Sequence, residues 1–235
     1  MRFSPRRQLV VVIISWALLA LGFLLVRNGN TQSLPNKTSQ ESDSVVNAVR
    51  KGGLREAARI KRHYVATERT AGWLMYDLDA LANSSASIII GTPVSASSKL
   101  AASGDRVITE YNVRIDRVFK GKVKPNELIT VIAPGGKVTF DDGTSAEIRT
   151  PDFGPIEQHQ RYVFFLSTSD DSPETFGSTG GGQGVFELSS SDSRVKPLGG
   201  KRDVVQKYKN QKFDAFILEV ERAVREHPTT SSCCN

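Results

Sequence analysis

Between Val107 and Asp116 the chain alternates, with Val107, Tyr111, Val113 and Ile115 on one parity and Glu110, Asn112, Arg114 and Asp116 on the other. A period of two marks a strand with one face buried. The phase slips near Arg117, where Val118 and Phe119 are consecutive, and a slip inside so long a strand predicts a bulge that bends the sheet toward closure. A basic turn at 120–126 leads into residues 127–133, ELITVIA, whose apolar run predicts a strand buried on both faces. Upstream, residues 87–94 (SIIIGTPV) are an apolar run broken by Gly91, and residues 95–104 read as a polar loop. Downstream, residues 137–140 and 145–149 flank Asp141-Asp142-Gly143, a hairpin signal. After a loop at 150–160 with two prolines, residues 161–167 (RYVFFLS) form the most hydrophobic strand and the expected centre of the core. Residues 169–174 are polar, residues 176–184 (FGSTGGGQG) read as a mobile hairpin loop, and residues 185–188 close the sheet.

Helical periodicity frames these strands. Residues 45–65 read as two helical pieces interrupted by Gly52-Gly53, with Leu54, Ala57, Ala58, Tyr64 and Val65 on one face and Arg55, Arg59, Lys61 and Arg62 around the rest. Such a basic amphipathic helix either lies on anionic headgroups or packs on the β-domain. Its alanine-rich apolar face buries little area and favours packing. Residues 71–82 predict a short helix that turns Trp73, Leu74, Leu78 and Leu81 inward. Residues 201–226 predict one long helix whose stripe of Val204, Val205, Tyr208, Phe213, Phe216, Ile217, Val220 and Val224 covers a sheet edge or serves an interface.

Residues 9–26, LVVVIISWALLALGFLLV, hold eighteen positions without a charge, behind Arg2, Arg6 and Arg7. A cleaved signal peptide and an uncleaved anchor both begin this way. The length of the run, and a small-x-small pair at Ala20 and Gly22 that leaves apolar residues behind the cut, favour the anchor. The arginines place the N-terminus in the cytoplasm and the remainder outside it. The expected organisation is a cytoplasmic tail (1–8), a transmembrane signal-anchor (9–26), a stalk with the basic helix (27–70), the β-domain (71–200), an amphipathic helix (201–227) and a tail (228–235).

Charge changes the functional picture. The net +6 is unevenly spread: residues 1–27 and 28–72 carry +4 each, residues 73–200 carry −4 with 12 basic against 16 acidic side chains, and residues 201–235 carry +2. A mildly acidic β-domain outside the cytoplasm argues against nucleic acid, even with Tyr111, Phe119 and Phe140 as candidates for one stacking face. Two cysteines, Cys233 and Cys234, stand next to the C-terminus and leave the core without a disulfide framework; they read as frayed thiols or as an intermolecular bridge in a homodimer.

Several motifs resemble a broad group of uncharacterised exported bacterial proteins with a small OB-like β-barrel of the tissue-inhibitor and netrin kind. They are Gly91, Lys120-Gly121, Pro134-Gly135-Gly136, Arg161-Tyr162, Phe165-Leu166, Gln183-Gly184 and Phe186, in that order across residues 74–188. Where that pattern carries Gly-Glu before Arg161, this chain has Gln158-His159-Gln160. The resemblance implies a mainly β fold, a closed or partly open OB-like barrel with flanking helices on a single N-terminal transmembrane helix, and export. It implies no activity.

The chemistry is sparse. Asp77-Leu78-Asp79 resembles the metal motif of membrane-anchored glycosyltransferases but falls in a predicted helix of a domain too small for one. The glycines at 180–184 lack a following GK[ST] and a helix to cradle phosphate. Of His63, His159 and His227, only His159 lies near the sheet, and a small hydrolase pairing it with a serine from 167–172 is the alternative function. The leading expectation is a membrane-anchored extracytoplasmic binding or adaptor module for an envelope protein or small ligand. It has no assigned catalytic, cofactor or metal residues, and its working surface is one barrel face with the 95–104 and 176–184 loops.

Overall fold

The computed structural model describes residues 37–68, 74–169, 172–189, 191, 193–200 and 204–228. The expected anchor at 9–26 and the cysteine pair lie outside the described residues. Among those residues no helix is long and apolar enough to cross a membrane. Residues 44–235 form one compact unit, and the fold below is that unit's.

The chain is mainly β, with two sheets and flanking helices. Helix α1 (Lys37–Lys61) is followed by β1 (His63–Thr67), α2 (Leu78–Ser84), β2 (Ser87–Leu100), β3 (Val107–Lys120) and β4 (Leu128–Pro134). Then come β5 (Gly136–Thr139), β6 (Ser145–Arg149), β7 (Arg161–Ser169), β8 (Ser172–Ser178), β9 (Val185–Leu188), β10 (Val195–Pro197) and helix α3 (Phe213–Glu226). The large sheet runs β10-β9-β7-β2-β3-β4-β8, and β8 pairs both with β4, in parallel, and with β7. The pairings therefore run from β7 through β2, β3, β4 and β8 back to β7. The small sheet is β1-β6-β5, with β1 parallel to β6.

The slip near Arg117 is real. Against β2, the β3 register shifts between Ile88 and Ile89 and again between Ile90 and Gly91, leaving Phe119 and Asp116 as the extra residues. At Gly91 a Cβ would press on Val113, so the close approach of β3 excludes a side chain there. The hydrophobicity of β7 also has a physical cause: Tyr162 to Leu166 are all fully buried because the strand is covered on both faces. Tyr162, Phe164 and Leu166 pack with Ile89, Val113, Ile115, Ile129, Val131 and Phe176. Val163 and Phe165 face the other way, toward Leu78, Leu81, Phe186, Tyr208, Phe216 and Val220 beneath α2 and α3. A third cluster joins Leu54 and Ala58 of α1 to Val107, Val138, Phe140, Ala146 and Ile148. The apolar face of α1 is thus spent on packing.

Several expectations are corrected. The helix predicted to reach Val65 ends at Lys61; Arg62 takes a left-handed φ of 53°, and His63, Tyr64 and Val65 enter β1 because β6 offers them a partner. The helix is interrupted at Gly53 (φ 72°), which frees the Leu54 amide to donate to the Gly104 carbonyl at 2.8 Å. The polar stretch 95–104 is mostly strand: Ser95 to Leu100 pair with Asn112 to Val107, so backbone pairing overrides side-chain polarity. Strand β4 alternates between buried and more open positions instead of being buried on both faces. The polar 169–174 stretch runs into β8, and the glycines at 181–184 form a buried 3-10 turn, not a mobile loop. At Gly182 a Cβ would meet the Asp152 and Leu198 carbonyls, and at Gly184 the Thr179 and Phe165 carbonyls, so packing accounts for both glycines. The helix of 71–82 begins only at Leu78, and Leu74 is 72% exposed rather than inward. The single C-terminal helix is two pieces, a 3-10 turn at Val204–Tyr208 and α3, separated by Asn210 at φ 66°. The stripe of α3 packs on the sheet through Phe216, Ile217, Val220 and Ala223.

Candidate binding groove

The β2–β3 hairpin and its neighbours β4 and β8 build a recess on the large sheet. Register fixes which side chains share the outer face. Lys99 stands opposite Ile108, Ser97 opposite Glu110 and Ser95 opposite Asn112, while Ile108, Glu110 and Asn112 face Pro134, Ile132 and Thr130 of β4. Period-two alternation then puts Ile108 and Ile132 on one surface with Lys99 and Glu110, whose charged ends meet at 2.6 Å. At the far end of the row Asn112 donates to Ser95 Oγ at 2.8 Å. Between the hairpin tip at Leu100–Ala102 and Thr175 of β8 lies a groove of about 440 Å³. Its floor is aliphatic, and its rim is the Lys99–Glu110 ion pair and the Thr175 hydroxyl. This arrangement can hold a short apolar side chain or chain segment and orient it by polar contacts.

The residues singled out in the sequence go to separate places. His159 sits exposed at φ 65° in the turn before β7, its amide donating to the Pro93 carbonyl at 2.9 Å. Ser167 lies toward the opposite end of the same strand, where its hydroxyl donates to the Gly177 carbonyl. Eight extended residues span roughly 26 Å, so the structure does not bring this imidazole and this serine together. Tyr111, Phe119 and Phe140 belong to three different apolar clusters, with Arg117 over the Phe119 ring and Arg55 over the Phe140 ring, and so form no common stacking face. Asp77 is the N-cap of α2, accepting from the Ala80 amide at 2.9 Å, and Asp79 pairs with Arg222 at 3.5 Å. His227 caps the C-terminus of α3 through its own amide. Among the described residues no group of three or more His, Cys, Asp and Glu side chains could hold a metal ion.

Two features escaped the sequence. Gln183 is buried, and its side chain accepts from the Tyr76 amide and donates to the Leu74 carbonyl, both at 3.0 Å. It ties the glycine-rich turn to the segment entering α2, and only the fold brings these distant residues together. The second is a row across the small sheet: His63 Nδ1 and Ser145 Oγ are hydrogen bonded at 2.6 Å, and Glu147 Oε2 lies 3.7 Å from His63 Nε2. Hydrogen bonding from Arg149 holds the Glu147 carboxyl below its ordinary pKa. The order serine, imidazole, carboxylate is that of an activated nucleophile. Here Ser145 is buried and stands directly opposite His63 in the parallel register, so the row ties β1 to β6. No protein-family model and no curated protein matches the sequence.

Proposed function

We propose that this chain is a membrane-anchored binding or adaptor module, held by residues 9–26 with its β-domain outside the cytoplasm, that takes an envelope protein segment or small ligand on an OB-like barrel. The barrel reading is supported by the pairing circuit β7-β2-β3-β4-β8, in which the closing contact between β4 and β8 is parallel and the others antiparallel. The observation that carries the binding reading is the groove between the hairpin tip and β8, with an aliphatic floor on rigid strands and the Lys99–Glu110 pair at its rim. The anchor rests on the uncharged eighteen-residue run behind three arginines.

The test is cross-linking of the tagged full-length chain in native membranes, with co-purified species identified against a control bearing only residues 1–36. A reproducible partner whose recovery falls in an Ile132→Asp protein supports the reading. Recovery indifferent to Ile132→Asp removes the groove from it, and recovery of nothing beyond the anchor-only control removes the adaptor role.

A further inference from the structure

The small sheet ends on β1, and among the described residues no strand covers that edge. Parallel pairing engages alternate residues. The Arg62 carbonyl accepts from the Ser145 amide and the Glu68 amide donates to the Arg149 carbonyl, both at 2.9 Å, so Tyr64 and Ala66 also turn their backbone groups to β6. His63, Val65 and Thr67 then point their N–H and C=O groups away from the sheet, where no described strand pairs with them. At the other edge of this sheet β5 carries a lysine, Lys137, among its four residues, and in the large sheet Val195 of β10 bonds through both its backbone groups to Asn210 and Gln211 while β8 returns to β7. Strand β1 is short but has no proline, no bulge and no lysine, and Val65 is 40% exposed on its outer face.

We propose that this edge pairs antiparallel with β1 of a second copy of the chain, about a two-fold axis through Val65. The register follows from the open groups. Setting Val65 against its own copy places His63 opposite Thr67 of the partner copy and Thr67 opposite its His63, which uses all the outward groups in about six backbone hydrogen bonds. Shifting by two residues loses a third of them. The same register sets Arg62 of each copy against Glu68 of the other, so the strand's basic start and acidic end are self-complementary. On the inner face it sets Tyr64 against Ala66, large against small. That pair lies at a groove of about 230 Å³ lined by Tyr64 itself with Val49, Leu54, Ile148, Arg106 and Glu68, and the pairing brings the incoming tyrosine to its mouth. Val65, exposed in one copy, is covered by its equivalent.

One short strand pair falls below the roughly 1,000 Å² of a stable complex, so the association is read on the full-length chain in cells rather than after dilution. In a Cys233→Ser, Cys234→Ser background, Val65→Cys places two cysteines with Cα atoms about 5.5 Å apart, within disulfide range, whereas Thr67→Cys places them roughly 14 Å apart. The expected result under mild oxidation is a reducible dimer for Val65→Cys and a monomer for Thr67→Cys. Adding Arg62→Glu to Val65→Cys lowers the dimer about fivefold or more, and adding Glu68→Arg as well restores it. Should Val65→Cys fail to fold, as read by circular dichroism, co-expressed His63→Cys and Thr67→Cys chains report the same register through their mixed dimer. A monomeric Val65→Cys chain with native circular dichroism overturns the proposal. So do equal cross-linking of the Val65→Cys and Thr67→Cys chains, a dimer indifferent to Arg62→Glu, and a disulfide to a different protein in place of self.

Discussion

Replacing Tyr162 by Phe separates two consequences of one buried hydroxyl, because they act at different pH. Tyr162 is fully buried, and its oxygen accepts from the Glu157 amide at 2.8 Å. Burial is the main reason its pKa is pushed up to about 12. A raised folded-state value means that the native state favours the neutral phenol. The associated stability is complete below the ordinary value near 10 and is lost as pH climbs through about 12. With those two values the wild-type chain loses roughly 1.4 kcal/mol by pH 11 and roughly 2.3 kcal/mol by pH 12 from this group alone. At pH 7, Tyr162→Phe forfeits the hydrogen bond and leaves the Glu157 amide without its partner, costing about 1 to 2 kcal/mol. The stability difference between the two proteins should therefore shrink above pH 10 and change sign between about pH 10.7 and 11.6. The phenols of Tyr111 and Tyr208, which burial also raises, are common to both proteins and cancel in the difference. Urea unfolding of residues 44–235, followed by far-UV circular dichroism at pH 7, 10, 11 and 12, reads the crossing directly. A difference that stays constant to pH 12 would refute the burial reasoning, and equal stability at pH 7 would refute the hydrogen-bond reasoning.

Two further substitutions test the packing. Phe186 packs at a tilt against Phe216, centroids 4.8 Å apart, and also meets Phe165 and Tyr208, so Phe186→Ala should cost about 3 to 5 kcal/mol and Phe186→Leu, which keeps most of the volume, about 1 to 1.5 kcal/mol in the same denaturation assay. Gly136 lies at φ 124° with the Ser98 and Thr109 hydroxyls where a Cβ would go, whereas Gly143 at φ 75° has open space; Gly136→Ala should therefore lower the melting temperature clearly more than Gly143→Ala, which carries only the backbone cost of about 1 kcal/mol.

Local pattern was enough for much of this chain. The alternation of β3, the slip that becomes its bulges, the hairpin at Asp141-Asp142-Gly143 and the burial of residues 162–166 were legible because each depends on neighbours within a few positions. The mainly β class followed from the same signals, as did the apolar stripe that seats α3. Tertiary structure decided the rest, because strand identity in a polar stretch is set by the partner and not by the stretch. Ser95 to Leu100 become strand only when Val107 to Asn112 lie alongside, and His63 leaves the helix only because Ser145 and its strand stand 82 residues away in sequence. The glycines at 181–184 looked mobile in isolation, yet they are small because backbone carbonyls press on them from strands and loops elsewhere. The candidate groove was half visible, through the hairpin stretch. The Lys99–Glu110 pair follows from a register that no local pattern specifies, and the open edge of β1 follows from which strands are left without a neighbour. Sequence periodicity reports which face of an element is buried; only the assembled sheet reports against what.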